Sequence, residues 1–211
     1  MTYLSAPGDL ALHGVRVLGF PTASRVAARF RLDAGAVEEA LLDFEACGWV
    51  RRISFGGTSG WSLTDAGRTE DERRLAAELG TVGARDTVAR LHATFVPLNQ
   101  RLGDACTKWQ IRPTRADPMA FNDHSDWRWD DRVLNTLGSI DRSFGGLCDQ
   151  LAGCLARFDG YAGLYTSALA KALGGEHDWV DGHDRDSCHT VWIQFHEDLL
   201  ATLGIPRGTD T

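Results

Sequence analysis

The sequence predicts a mainly α-helical protein with one small β-hairpin: a compact N-terminal part of about 80 residues, then an all-helical remainder. Three observations carry this prediction. Apolar residues recur at helical spacing along most of the chain. Over residues 49–64 the period changes to that of strands, around Gly56-Gly57. Gly, Pro, Asp and Ser residues punctuate the intervals between the periodic segments.

Residues 10–18 place Leu10, His13, Val17 and Leu18 on one face of a short helix. Pro21 disfavours helix at Phe20 and suits a turn. Residues 23–30 form a second helix with Val26, Ala27 and Phe30 inward. Asp33 caps a third, from 34 to about 47, whose Val37, Ala40, Leu41 and Phe44 make one apolar stripe. Gly48 stops it. Residues 49–55 and 61–64 read as two strands joined by a five-residue tip, Gly56 to Gly60. Thr64 or Asp65 caps the next helix, which runs from Ala66 toward Leu79.

Beyond Thr81 the pattern is helical. Residues 85–109 carry Val88, Leu91, Phe95, Leu98, Leu102 and Trp109 in phase, with a kink expected at Pro97. A loop with two prolines covers 111–126. Residues 127 to about 158 hold one or two helices, broken or bent near Gly145-Gly146. A helix over 161–173 follows, then a polar loop over 176–185. Asp186 or Ser187 caps a last helix ending at Leu203.

Three helices, a hairpin and a further helix are the element order of a winged helix-turn-helix domain, expected over 1–80, with a helical dimerisation and ligand-binding domain over 81–211. The stretch from Cys47 to Arg68, CGWVRR followed by GGTSGWSLTDAGR, resembles the wing of MarR-like transcriptional regulators. In that family the third helix ends at a glycine, an apolar strand follows, and the wing returns through Leu-Thr-x-x-Gly-Arg into the next helix. Gly48, Leu63, Thr64, Gly67 and Arg68 occupy those positions. The resemblance covers roughly the first 80 residues and implies a DNA-binding regulator, a function that winged helices share with protein docking.

Charge sets a condition on that function. The 211 residues carry a net charge of −7 with only two lysines, Lys108 and Lys171, so any nucleic-acid contact needs a local basic patch. Arg25, Arg29 and Arg31 on the second helix and its turn, Arg51, Arg52 and Arg68 on and after the wing, and Thr58 and Ser59 at its tip are the candidate contacts to double-stranded DNA. The third helix opposes them. It carries Asp33, Glu38, Glu39, Asp43 and Glu45 and no Arg, Lys, Asn or Gln, so backbone and wing contacts should dominate.

In the C-terminal part, aromatic residues lie beside polar ones, as a small-molecule pocket needs. Trp109, Asn122, His124, Trp127, His189, Trp192 and His196 are the candidate effector-binding residues. Metal binding is not expected, because His189 and His196 are seven residues apart, two turns along a helix. No phosphate-binding loop, nucleophile elbow or CxxC occurs, so no cofactor and no catalytic residue is assigned. The five cysteines, odd in number and widely spaced, read as reduced thiols. No apolar run is long enough to span a membrane, and residues 1–9 lack the features of a signal peptide, so a cytoplasmic protein is expected. These observations predict a ligand-responsive, homodimeric transcriptional regulator. Two other readings stay open: a winged-helix protein–protein adaptor, and a small enzyme using a His/Asp/Trp pocket.

Overall fold

A computed structural model describes residues 2–208 of the chain. It is mainly helical, with a two-stranded antiparallel sheet. The chain forms two compact units. One contains residues 2–88, 152–157 and 196–208; the other contains 89–151 and 158–195.

The first unit begins with α1 (Pro7–Leu18), α2 (Ala23–Phe30) and α3 (Ala34–Ala46). Local signals set their ends. Thr22 Oγ1 accepts from Arg25 N at 3.2 Å, and Asp33 Oδ1 accepts from Ala36 N at 2.9 Å, so each side chain caps the helix that follows it. At the end of α3, Gly48 takes φ 75°, and its N–H bonds Glu45 O at 2.9 Å while Trp49 N bonds Phe44 O at 2.8 Å. This paired closure satisfies two terminal carbonyls, and the Phe44 and Trp49 rings meet at 5.4 Å across it. Leu12, Val15, Val26, Val37, Leu41, Val50 and Trp61 are buried together as the core of these elements. Burying side chains of this size contributes roughly 1.5–3 kcal/mol each.

Strands β1 (Val50–Phe55) and β2 (Thr58–Leu63) pair in register from Val50 with Leu63 to Phe55 with Thr58. The connection is therefore two residues, Gly56 and Gly57, not the five expected from Gly56 to Gly60. Both have positive φ, 57° and 81°, the condition for the tight turn whose twist matches a hairpin. Thr58, Ser59 and Gly60 consequently belong to β2. The link before α2 also joins this layer, since Trp61 N donates to Pro21 O at 2.8 Å.

Helix α4 (Asp65–Val82) starts at Thr64, whose Oγ1 accepts from Gly67 N at 3.0 Å and donates to Gly48 O at 2.7 Å. The boundary drawn from sequence after residue 80 falls within this helix. Helix α5 (Arg85–Gln110) stays helical across Pro97, and α6 (Trp127–Cys154) passes Gly145-Gly146 without a break. Apolar residues continue in phase on both sides of the glycines, with Ile140, Phe144, Leu147 and Leu151 buried, so packing outweighs their low helix propensity. The elements after a 3₁₀ turn (Ala156–Phe158) are α7 (Tyr161–Leu173), α8 (Asp178–Asp181), inside the segment read as a polar loop, and α9 (Cys188–Leu203). The unit boundaries fall within α5, α6, the 3₁₀ turn and α9.

Aromatic rings dominate the second unit's core. Phe95 stacks on Trp192 at 4.9 Å, and Phe144 lies 4.8 Å from Trp192 and 4.7 Å from Phe195. Among the described residues no helix is long and apolar enough to cross a membrane.

Candidate functional site

Helices α2 and α4, the turn before α3 and the hairpin carry the residues expected to meet DNA. The hairpin's geometry follows from the strand register. Val50, Arg52 and Ser54 share one face of β1; Val50 is buried there, whereas Arg52 lies further along the face with its side chain half exposed. There its guanidinium lies 4.7 Å over the Trp61 ring and pairs with Glu38, while its backbone N–H donates to Glu45 Oε1 at 3.0 Å. Arg51 is on the other face and exposed.

The acids of α3 thus divide by role. Asp33 is the cap, and Glu38 and Glu45 hold Arg52 to the helix. Glu39 and Asp43, four residues apart on one face, stay exposed. The first turn, Ala34-Gly35-Ala36, is exposed and contains only small residues. Arg31 precedes it in the left-handed conformation, φ 56°, ending α2 where glycine is the usual residue.

The other expected DNA contacts lie as follows. Arg29 Nη2 donates to Arg157 O at 3.2 Å, and its guanidinium lies 5.0 Å over Phe30. Arg25 is half-buried on α2. Thr58 Oγ1 donates to Phe55 O at 2.8 Å, and Ser59 is exposed. Arg68 is exposed on α4, 3.6 Å from Glu197. Arg31, Arg51, Arg52, Thr58 and Ser59 are all exposed.

Of the expected effector-binding residues, three come together in the second unit. Asn122 Nδ2 donates to Asp130 Oδ1 at 2.8 Å and to Trp109 O at 3.0 Å, and His124 Nδ1 lies 3.0 Å from Asp130 Oδ2. The His124 ring lies 4.6 Å from Trp109 and 4.7 Å from His177. His124 has φ 57°, a conformation rare outside glycine and held here by its carboxylate and ring contacts. The remaining four are dispersed. Trp127 is 68% exposed; Trp192 is core and donates to Asn99 Oδ1 at 2.9 Å. His189 is half-buried with Nδ1 unbonded, and burial lowers its pKa, outweighing the pull of Asp181, so it favours the neutral form. His196 belongs to the first unit. Among the described residues no three His, Cys, Asp or Glu side chains are grouped so as to hold a metal ion. Burial pushes the Cys106 and Cys188 thiols up to about 12, which leaves them unreactive as nucleophiles.

A buried ionic cluster in the first unit was not foreseen from sequence. His13 on α1 lies with Nδ1 3.2 Å from Asp71 on α4 and Nε2 3.2 Å from Asp198 on α9. Arg157 donates to Asp198 at 3.1 Å and to Thr202 Oγ1 at 2.6 Å, and pairs with Glu78. Arg16 joins Asp71 at 3.3 Å, Glu72 at 3.0 Å and Glu197 at 2.8 Å. Burial alone would make His13 neutral, but the two carboxylates outweigh it and raise its pKa to about 9. Burial would likewise raise Asp198, yet Arg157 and His13 hold it far below the usual carboxylate range. The partners come from four distant segments. His13 resembled any polar residue within an amphipathic helix, so nothing in sequence spacing marked the cluster.

Comparison with known proteins finds no matching family model, no matching curated protein and no matching solved structure.

Proposed function

We propose that the first unit is a winged helix-turn-helix module contacting double-stranded DNA, in a homodimeric transcriptional regulator whose helical second unit binds a small-molecule effector. The observation that carries this reading is the start of α3: an exposed Ala34-Gly35-Ala36 turn preceded by Arg31. A helix N-terminus carries partial positive charge, and small side chains let it approach a phosphate closely. Docking of this kind presents the first residues of the helix to the groove and a wing to the backbone. Arg51 and Ser59, exposed on the hairpin, are the wing contacts. Of the five acids around α3, Glu38 is ion-paired with Arg52, which reduces the repulsion that the bare sequence implies.

Titration of a fluorescent duplex from the gene's upstream region, followed by anisotropy at low salt, tests the reading. Saturable binding weakened in Arg51→Ala supports it; no binding at low salt, where phosphate contacts are strongest, rejects it.

One observation favours a second reading, protein docking without DNA. Glu39, Leu42 and Asp43 form an exposed acidic and apolar strip on α3, and Arg29 is bonded to Arg157 O. Absence of DNA binding in a folded protein is the outcome that selects it.

A further inference from the structure

We infer that a cleft between α5 and α6 of the second unit binds a small organic carboxylate with a flat apolar body. The cleft has a volume of about 460 Å³, within the size range of small-molecule sites. Arg101 and Lys108 line it from α5, and Arg132 and Trp129 from α6. Arg101 and Lys108 are seven residues apart, so both project from one face about 10 Å apart along the axis.

The chemistry of the lining selects the ligand. Three cations and a single acid, Asp104, surround the cleft in a chain with 29 acidic and 22 basic residues. Among the described residues none of the three cations is ion-paired: Arg101 donates to Ser139 Oγ at 2.6 Å, and Arg132 lies 5.3 Å over the Trp129 ring. Unneutralised positive charge beside low-dielectric walls concentrates anions. Guanidinium groups match a carboxylate in a planar, two-bond geometry. Ala105 and Val133, both buried, and the Trp129 ring supply the apolar wall. Trp129 is fixed in place, because its Nε1 donates to Lys108 O at 2.7 Å and ties the start of α6 to the end of α5. A guanidinium of the lining therefore binds the carboxylate, and the immobilised ring and aliphatic floor bind the flat body of the ligand.

This site shares no residue with the candidates read from sequence. Its use as an effector site rests on the DNA-binding reading, whereas binding itself does not.

Isothermal titration of the full chain uses 2-naphthoate, the uncharged 2-naphthamide of similar shape, and inorganic phosphate as a charge-only probe. Naphthoate should bind, with the other two weaker by about tenfold or more. Arg101→Gln/Arg132→Gln should weaken naphthoate by about tenfold or more while leaving the melting temperature within a few degrees. Equal binding of the amide, equal binding of phosphate, unchanged affinity in the double variant, or no naphthoate binding at millimolar concentration each overturns the proposal. Anisotropy with and without naphthoate then separates the two readings: unchanged DNA affinity removes the effector role and leaves the binding site standing.

Discussion

Gly67 shows how tightly one position can be specified. A Cβ there would lie 1.9 Å from Trp49 O, a backbone atom that cannot retreat while Thr64 N donates to the same carbonyl at 3.0 Å. Gly67→Ala should cost about 3 kcal/mol or more, read as a large drop in denaturation midpoint; an unchanged midpoint would contradict the packing described. Arg31 gives the opposite case. Its φ of 56° is one that glycine adopts without strain. Arg31→Gly should therefore keep or raise thermal stability while weakening DNA binding several-fold; unchanged DNA affinity would remove Arg31 from the interface. His13 has a pKa of about 9 in the folded chain against an ordinary 6.5. The stability it contributes, about 3 kcal/mol, is present in full below pH 6.5 and is lost as pH rises through about 9. Melting curves from pH 6 to 10 should show this loss, and it should be missing in His13→Gln.

At the scale of elements, α3 and the hairpin act as one piece. Glu38 and Glu45 hold Arg52, and Glu39 and Asp43 remain exposed. Glu39→Gln/Asp43→Asn should tighten DNA binding severalfold at low salt by removing two charges that repel phosphate; weaker binding would mean that these acids read bases instead. Much of this region was legible in sequence. Asp33 acts as a cap, Gly48 as a stop and Thr64 as a cap, because such signals work within a few residues of where they stand. The five-residue tip expected from sequence is shorter in the structure: Thr58, Ser59 and Gly60, residue types common in turns, pair as strand opposite Phe55, Ser54 and Ile53. Of the two alternatives for residues 127–158, one helix or two, α6 is continuous across Gly145-Gly146 for a related reason: glycine propensity is local, whereas Phe144 and Leu147 are fixed by distant packing.

At the scale of the whole chain, segments far apart in sequence complete each unit. Residues 152–157 and 196–208 belong with 2–88, and they supply Arg157, Asp198 and Thr202 to the ionic cluster around His13. The effector candidates chosen for aromatic and polar neighbours gathered only in part, at Trp109, Asn122 and His124, because adjacency in sequence does not place side chains on one side of a helix. The α5–α6 cleft is not legible in sequence because Arg101 and Arg132 are 31 residues apart and read singly as surface charges.

The central claim, that the first unit contacts DNA through phosphates, is tested most directly by the salt dependence of binding to a labelled duplex. The logarithm of the association constant should fall linearly with the logarithm of salt concentration, and Arg51→Ala should reduce that slope by about 0.9, one phosphate contact. A slope near zero, or no binding at the lowest salt by a chain that circular dichroism shows to be folded, would contradict it.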